Sequence, residues 1–333
     1  MALWLCTYLC LFFGFSELRP LWRKVKVFLN QSRAIVVLRE SVDQLKLIQE
    51  MLESGLVPGP GEWEKIRSFP KPWGEILFAS LAELRAQGAP ILPSLLRMQK
   101  TLEEQVEFIQ DAKVKSSQAF GQAVLGLILV PVFSLVLFLL MPGLQESAKA
   151  FLLLSLLSFL WSSVAFIWMM SLSDNARFGN MRVANRKWLV IVHATLERIL
   201  ALISTGLPPD LSWRKAMEEL ALYDSALVKE WKIQVWDPDF RVGIKVENEC
   251  ERLVIGVGIE VRRSIQASLI EGRPCMDRIE SIQKAFLLDL RSRVSTELNL
   301  LPQRCLKPLF LCVLPSVFLL MMGSFALTLQ DFQ

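Results

Sequence analysis

The chain carries few of the side chains from which catalytic or metal sites are built. Its only histidine, His193, lies in an apolar helical stretch, and one imidazole cannot assemble a histidine-based metal site. The six cysteines include no C-x-x-C pair, and four of them lie in or beside apolar runs. This setting favours reduced cysteines that pack in the core. These features predict a protein that is not an enzyme and that holds no metal ion or cofactor.

Nucleotide-binding and cation-binding motifs are equally weak. No G-x-x-x-x-G-K-[ST] phosphate loop is present, and Gly256-Val-Gly258 lies in an apolar run without a third glycine, which favours helix packing. The net charge of +4 is small for 333 residues, and the chain has no concentrated basic face for nucleic acid. Solvated surface is the usual role of acidic clusters. A cation site is the alternative at Asp237, Asp239, Glu247, Glu249 and Glu251.

Long runs without charged residues indicate a membrane protein. Hydrophobic residues make up 53% of the chain and charged residues 21%, and the mean hydropathy is +0.39; this combination suits segments in lipid joined to segments in water. Four windows lack Asp, Glu, Lys and Arg: 1–16, 116–145, 150–173 and 308–330. A spanning helix needs about 20 apolar residues, so the last three windows predict spans. The first is shorter and lacks the positive start of a signal peptide, which favours an uncleaved membrane segment.

The distribution of lysine and arginine predicts the topology. Of the 37 basic residues, 15 lie in 17–116 and 21 in 174–307, while the short connection between the middle spans holds only Lys149. Basic loops stay in the cytoplasm, so both long regions are predicted to be cytoplasmic. The predicted organisation is a membrane segment (1–16), a cytoplasmic domain (17–116), a transmembrane hairpin (117–172), a second cytoplasmic domain (173–307) and a C-terminal span with a short tail (308–333).

Both cytoplasmic regions contain amphipathic helical patterns that end at glycine. Apolar residues recur at helical spacing over 32–54, and the pattern over 187–205 behaves in the same way. The first pattern stops at Gly55 and the second at Gly206, and each glycine is followed by leucine. Glycine is the usual left-handed cap at the C-terminus of a helix, so we expect a turn at each position.

A longer match recurs at a constant spacing of 184 residues. The matched pairs are Gly88 and Gly272, Pro90 and Pro274, Gln99-Lys100 and Gln283-Lys284, and Pro131 and Pro315. Each glycine is expected to end a helix, each proline after it to lie in the first turn of the next, and the last two prolines to kink their spans. The pattern predicts an internal duplication. The predicted fold is an all-α integral membrane protein with two cytoplasmic helical bundles and three or four transmembrane helices.

These turns, in this order and with this topology, resemble the type II secretion F domain. That domain occurs in platform proteins of type II secretion, type IV pili and tight-adherence pili. The resemblance covers about 32–329, and the tail from Arg291-Ser-Arg293 to Leu314-Pro315 is most similar to the tight-adherence branch. The region 17–116 is shorter than its counterpart, and the Gly-Glu-x-x-Gly motif of the secretion branch is absent. The branch therefore stays open between secretion and pilus assembly.

The resemblance implies a scaffold of the bacterial inner membrane that couples a cytoplasmic hexameric ATPase to the assembly of pilin-like subunits. The implied partners are that ATPase, the pilin-like subunits, other inner-membrane assembly proteins and further copies in a homo- or hetero-oligomer. We expect partner contacts at exposed or inter-domain positions near the membrane face. The residues in question are Gln99, Lys100, Gln283, Lys284, Arg291 and Arg293.

Two other functional classes are the alternatives. A repeat-built transporter or channel would place its duplicated mass in the membrane and usually carries ionisable groups at depth, whereas these spans contain no charged residue or histidine. A membrane-tethered enzyme would need a catalytic constellation, and the sequence supplies no credible one.

Overall fold

Helices make up the regular structure of the chain. The computed structural model is 85% helical, and it contains no strand in the residues it describes, which are 19–237 and 248–330. The all-α prediction is confirmed. The predicted membrane segment 1–16 lies outside the described residues, as do Asp239 and Glu247.

Twelve α-helices are described in residues 19–237 and 248–330. Their bounds are α1 Arg19–Glu53, α2 Pro60–Arg67, α3 Trp73–Ala86, α4 Ile91–Leu140, α5 Gly143–Glu146, α6 Ala148–Arg177, α7 Trp188–Ser204, α8 Pro209–Ala221, α9 Ser225–Trp231, α10 Glu249–Glu271, α11 Met276–Pro308 and α12 Leu314–Gln330. A 3₁₀ turn at Val183–Asn185 precedes α7, and a π turn at Leu309–Val313 joins α11 to α12.

Three stretches of helix are long and apolar enough to cross a membrane: α4, α6 and the continuous stretch Met276–Leu329. Only 22%, 39% and 28% of their most apolar windows are buried within the protein. Large apolar side chains therefore face outward, as at Leu140, which is 72% exposed, and Leu153, which is 69% exposed. An exposed apolar surface of this extent suits lipid rather than water. The three predicted spans are thus confirmed as candidate spans, and the chain has the character of a membrane protein.

The chain divides into two compact units, and each draws on separated parts of the sequence. The span unit comprises Met1–Gln31, Asp111–Phe178 and Ser295–Gln333, and the bundle unit comprises Ser32–Gln110 and Gly179–Val294. The prediction gave the regions 17–116 and 173–307 a helical bundle each. The structure places most of both regions in one bundle unit.

Small and hydroxyl-bearing residues line the helix contacts within the span unit. Ser155 of α6 shares a hydrogen bond with Ser134 of α4, with 2.6 Å between the two Oγ atoms. Two turns further along α6 on the same face, the Ser162 hydroxyl donates to the Gly126 carbonyl oxygen at 3.0 Å. Short side chains let helix backbones approach closely in lipid, where packing and hydrogen bonds drive association.

The two span prolines lie in different helical settings. Pro131 lies inside α4, which continues past it, whereas Pro315 follows the π turn at Leu309–Val313. A proline cannot donate to the carbonyl four residues earlier, and for Pro315 that carbonyl belongs to Leu311. The indole Nε1 of Trp161 on α6 donates to the Leu311 oxygen at 3.4 Å. A neighbouring helix thus supplies a donor where the proline removes one.

Helix α7 lies at the centre of the bundle unit. Every residue from 191 to 202 is buried, and a helix that is apolar on all faces needs neighbours on all sides. Ala194 and Ala201 of α7 belong to the same core cluster as side chains of α1, α3 and α4. This burial explains why the two predicted bundles form one unit. The other large members of that cluster include Leu45, Ile48, Leu77, Leu81, Leu95, Met98 and Leu102.

The four predicted turn glycines all adopt the left-handed conformation. The φ angles are 78° at Gly55, 67° at Gly88, 85° at Gly206 and 69° at Gly272, in the region that only glycine enters at low cost. The predicted helix ends are therefore correct. The prediction for the two following prolines was wrong in detail.

Those prolines lie just outside the helices that follow them. Helix α4 begins at Ile91, one residue after Pro90, and α11 begins at Met276, two residues after Pro274. Neither proline occupies the first helical turn. Each still fits its position, because proline disfavours a helical conformation in the residue before it and so separates one helix from the next.

Candidate functional site

A buried carboxylate on α7 is the most unusual side chain of the bundle unit. Glu197 has no exposed surface. Its Oε1 accepts hydrogen bonds from Thr101 at 2.7 Å and from Gln283 at 2.8 Å, and its Oε2 accepts one from Arg97 Nε at 3.1 Å. Arg97 also pairs with Glu280 at 3.1 Å. Glu197 therefore joins α4 from the first region to α11 from the second.

The next residue of α7, Arg198, has the opposite charge and contacts a different pair of helices, α3 and α8. Arg198, with a side chain only 4% exposed, pairs with Glu83 of α3 at 2.9 Å and with Glu219 of α8 at 2.7 Å. Lys215 of α8 also reaches Glu83, at 2.6 Å. Burial alone would raise the pKa of Glu83, but the bonds from Lys215 and Arg198 outweigh it and hold that pKa below its ordinary value.

A third polar group fixes the start of α9. Asp224 accepts from the backbone N–H groups of Ala226 and Leu227 at 2.9 and 3.0 Å, as an N-cap. It also accepts from the Trp188 indole at 2.8 Å and pairs with Lys187 at 2.9 Å. Burial would raise the pKa of Asp224, yet the Leu227 N–H and the Lys187 charge together lower it. The role of this group is structural, because all its bonds hold neighbouring backbone and side chains.

The single histidine lies in the same core. His193 is 2% exposed, and its ring centroid lies 5.1 Å from that of Phe286 on α11. Burial lowers its pKa to about 4, because the charged imidazolium is disfavoured away from water. His193 is one helical turn before Glu197 on α7, but no bond between the two is seen. The predicted packing role of His193 is confirmed.

The residues predicted as partner contacts separate into exposed and buried groups. Lys100 and Lys284 are exposed. Arg291 lies 3.9 Å from Glu107, and Arg293 pairs with Glu249, so both arginines are engaged on the surface of the bundle unit. Gln99 is half-buried and donates to Glu103 at 3.1 Å.

Gln283 is the buried member of this group. It is only 5% exposed and donates to the buried Glu197, so no partner can reach it. Its place in the sequence beside Lys284 suggested surface, but adjacent residues of a helix point about 100° apart. One of the two therefore faces the core while the other faces out.

The weaker motifs of the sequence have structural explanations. A Cβ on Gly258 would lie 2.2 Å from the Trp231 ring, whereas one on Gly256 would meet nothing within 4 Å. Gly258 therefore makes room for an indole, as the packing interpretation requires. Of the acidic residues, Glu251 accepts from Arg182 N and Asn185 Nδ2 at 3.0 Å each. In the part of the chain that the structure describes, no group of three His, Cys, Asp or Glu side chains has the arrangement of a metal site.

The central charged residues were missed at the level of sequence. Arg97, Glu83, Glu197 and Arg198 carry no motif, and only their partners reveal them. A signal was present, however: Glu197 and Arg198 are the only charged residues of the largely apolar helix α7, and charges in such a helix must be paired.

Comparison with known proteins adds nothing to this picture. No family model, no curated protein and no solved structure matches the chain.

Proposed function

We propose that this chain is an inner-membrane platform protein of a type II secretion or pilus machine, built by duplication of a unit that consists of a cytoplasmic helical domain and a span. In this role it couples a cytoplasmic hexameric ATPase to the assembly of pilin-like subunits. This role requires no catalysis by the chain itself. We place the bundle unit in the cytoplasm, because 36 of the 37 lysines and arginines of the chain lie in 17–116 and 174–307.

The observation that carries the proposal is the recurrence of buried positions at the spacing of the repeat. Residues of α3 and α4 are matched, 184 positions later, by residues of α10 and α11 that are buried as well. The pairs are Leu77 and Val261, Leu81 and Ile265, Leu95 and Ile279, Met98 and Ile282, Leu102 and Phe286, and Val106 and Leu290. A repeated core pattern of this length supports the duplication more strongly than the turn motifs alone.

The earlier part of each region also supports the duplication, at a spacing that is shorter by 33 residues. Gly55 and Gly206 are 151 residues apart, and at that spacing α1 and α7 match in four buried positions. The pairs are Leu38 and Leu189, Val42 and His193, Leu45 and Leu196, and Ile48 and Ile199. The 33 residues between the two spacings correspond to the longer second region, which holds α9 and residues 232–248.

The topology can be tested with native lysines. In intact cells, a membrane-impermeant amine reagent should label Lys149, which is exposed in the first turn of α6, and should leave Lys100 and Lys284 unlabelled until the membrane is permeabilised. A Lys149→Arg variant identifies the labelled site. Labelling of Lys100 or Lys284 in intact cells would place the bundle unit outside and contradict the proposal.

The function is tested by cross-linking the tagged protein in native membranes and identifying the captured proteins by mass spectrometry. We expect a secretion-type ATPase and pilin-like subunits. Reversing the charge of Lys100 and Lys284 to glutamate should reduce ATPase capture, whereas the same change at Lys65 and Lys229, which are also exposed in the bundle unit, serves as the control. Capture of neither partner class from an otherwise intact protein would reject the platform role, and substrate flux in proteoliposomes would favour a transporter.

A further inference from the structure

Charged residues, rather than apolar ones alone, line the contact between the two regions of the bundle unit. Glu197 binds Arg97 and Thr101 of the first region, and Arg198 binds Glu83 of the first region. All three bonds join residues about 100 positions apart or more in the chain. Glu197 and Arg198 thus each pair with a residue of opposite charge in the first region.

Stability alone does not explain these charges. The cost of removing two charges from water is about as large as their attraction, so well-packed apolar residues often serve equally well. A buried charge without a partner is strongly disfavoured, however. The best-attested benefit of such pairs is to fix which surfaces associate.

We infer that Glu197 and Arg198 determine which regions pair: they direct residues 32–110 onto residues 179–294 and oppose the association of either region with its own counterpart in a second copy. A duplicated protein faces this choice because its two regions present similar apolar surfaces. This pairing role rests on the proposed duplication and is independent of the secretion role.

The repeat register shows what the wrong pairings would bring together. If a second copy of 179–294 replaced 32–110, the positions of Arg97 and Glu83 would be taken by Ser281 and Ala267, 184 residues further on. Glu197 would then be buried without a counter-charge, and Arg198 would keep only Glu219 of its own region. A polar or ionic group that fits one partner and is left unpaired by another is a standard means of excluding the second.

Association of 32–110 with its own copy would fail for a different reason. At the 151-residue spacing, Glu197 corresponds to Lys46 and Arg198 to Leu47. Arg97 would therefore meet a lysine rather than a glutamate, and Glu83 a leucine. Lys46 itself stays on the surface, where its side chain is 49% exposed and pairs with Glu103 at 3.0 Å. Only the pairing of unlike regions matches every charge.

The test uses two full-length copies with different affinity tags, produced together in one cell. One copy carries Glu197→Arg and the other carries Arg97→Glu, so that each has like charges within its own chain. We expect each copy to accumulate poorly alone. Produced together, they should pair by exchange, because Arg97 of one copy meets Glu197 of the other, and purification through one tag should recover the second several-fold above a pair of unmodified copies.

Two single-chain variants make the result decisive. Arg97→Glu with Glu197→Arg in one chain should restore accumulation and return the recovery of the second tag to the unmodified level. Arg97→Met with Glu197→Met should also accumulate, but with raised recovery, because nothing then opposes association of like regions. The inference is wrong under two joint conditions: one of these two variants accumulates normally, and neither the co-produced pair nor the apolar variant raises recovery of the second tag. That result would show that Glu197 does not select the pairing.

Discussion

Helices α6 and α7 are both central to their units and both largely apolar, yet they satisfy their buried polar groups by opposite means. Helix α6 carries hydroxyls on its inward face, and Ser155 and Ser162 bond to a serine and a backbone carbonyl of α4. Helix α7 carries Glu197 and Arg198, each joined to two neighbouring helices.

On the proposed topology, the difference follows from the surroundings of each unit. In lipid a charge is expensive even when it is paired, so neutral hydroxyls that can bond to a nearby carbonyl are preferred. In a bundle surrounded by water, an unpaired charged side chain can still be solvated during folding. In the folded bundle, a buried ion pair then favours the pairing of helices that supplies the opposite charge over pairings that do not. We therefore expect α7 to be far more sensitive than α6 to the loss of one polar partner.

The largest effect is expected from Arg198→Met. The change leaves Glu219 without its buried counter-charge and Glu83 with only Lys215, and breaking one side of a buried pair costs about 3–5 kcal/mol. The melting temperature of the detergent-solubilised protein should fall by roughly 10 °C. Lys46→Met is the control, because an exposed ion pair contributes about 1 kcal/mol or less. If both changes lowered the melting temperature by the same amount, the buried and the surface ion pair would contribute equally to stability, which would contradict this prediction.

We expect acid to destabilise the folded protein through protonation of His193 on α7. Its pKa is about 4 in the folded protein and close to 6.5 when unfolded, so between these values the unfolded chain binds more protons. Stability from this residue is complete above pH 6.5 and is lost as the pH falls, by about 2 kcal/mol at pH 5. Chemical denaturation at pH 7 and pH 5 should show this loss, and His193→Leu should reduce it. A pH dependence that is unchanged in His193→Leu would mean that other groups cause it.

Glycine substitutions compare the close packing of the two units. In the bundle unit Gly258→Ala should cost about 1–3 kcal/mol, because the new Cβ collides with the rigid Trp231 ring, while Gly256→Ala should stabilise by up to about 1 kcal/mol through helix propensity. In the span unit Gly323→Ala meets the flexible Leu154 side chain at 2.4 Å and should cost less than Gly258→Ala. Thermal melts of the three variants give the order, and a larger loss for Gly256→Ala would reverse it.

The smallest effect is expected from the serine pair of the span unit. Ser134→Ala and Ser155→Ala each remove one neutral hydrogen bond, and such bonds between membrane helices contribute about 0.6 kcal/mol on average. A double-mutant cycle on the melting of the solubilised protein should give a coupling energy of that size. A coupling energy as large as that between Arg97 and Glu197 would show that the two units do not differ in this respect.

Much of this architecture could be predicted from the sequence, because the relevant signals are local. Charge-free runs of sufficient length mark the three candidate spans, and glycine at the end of an apolar pattern marks the turns at Gly55, Gly88, Gly206 and Gly272. These features depend on composition and on the conformational freedom of one residue. They do not depend on which helices meet.

What the sequence did not reveal is long-range pairing. The amphipathic pattern shows that a helix buries a face, but not which helix covers it, so the union of 32–110 and 179–294 in one unit was missed. Gln283 was predicted to lie at an exposed or inter-domain position, and only the position of Glu197 shows that it is buried. Arg97 and Glu83 are ordinary charged residues of amphipathic helices until their partners are known.

The two charges of α7 also have a consequence during biosynthesis. Residues 188–204 form an apolar run nearly as long as a spanning segment, and a translocon partitions each emerging segment between lipid and water by its hydrophobicity. Leucine, isoleucine and valine each favour insertion by a few tenths of a kcal/mol, whereas a central charge opposes it by about 2.5–3.5 kcal/mol. On the proposed topology we expect Glu197 and Arg198 to keep this segment out of the bilayer, so that the next span inserts in the proposed direction.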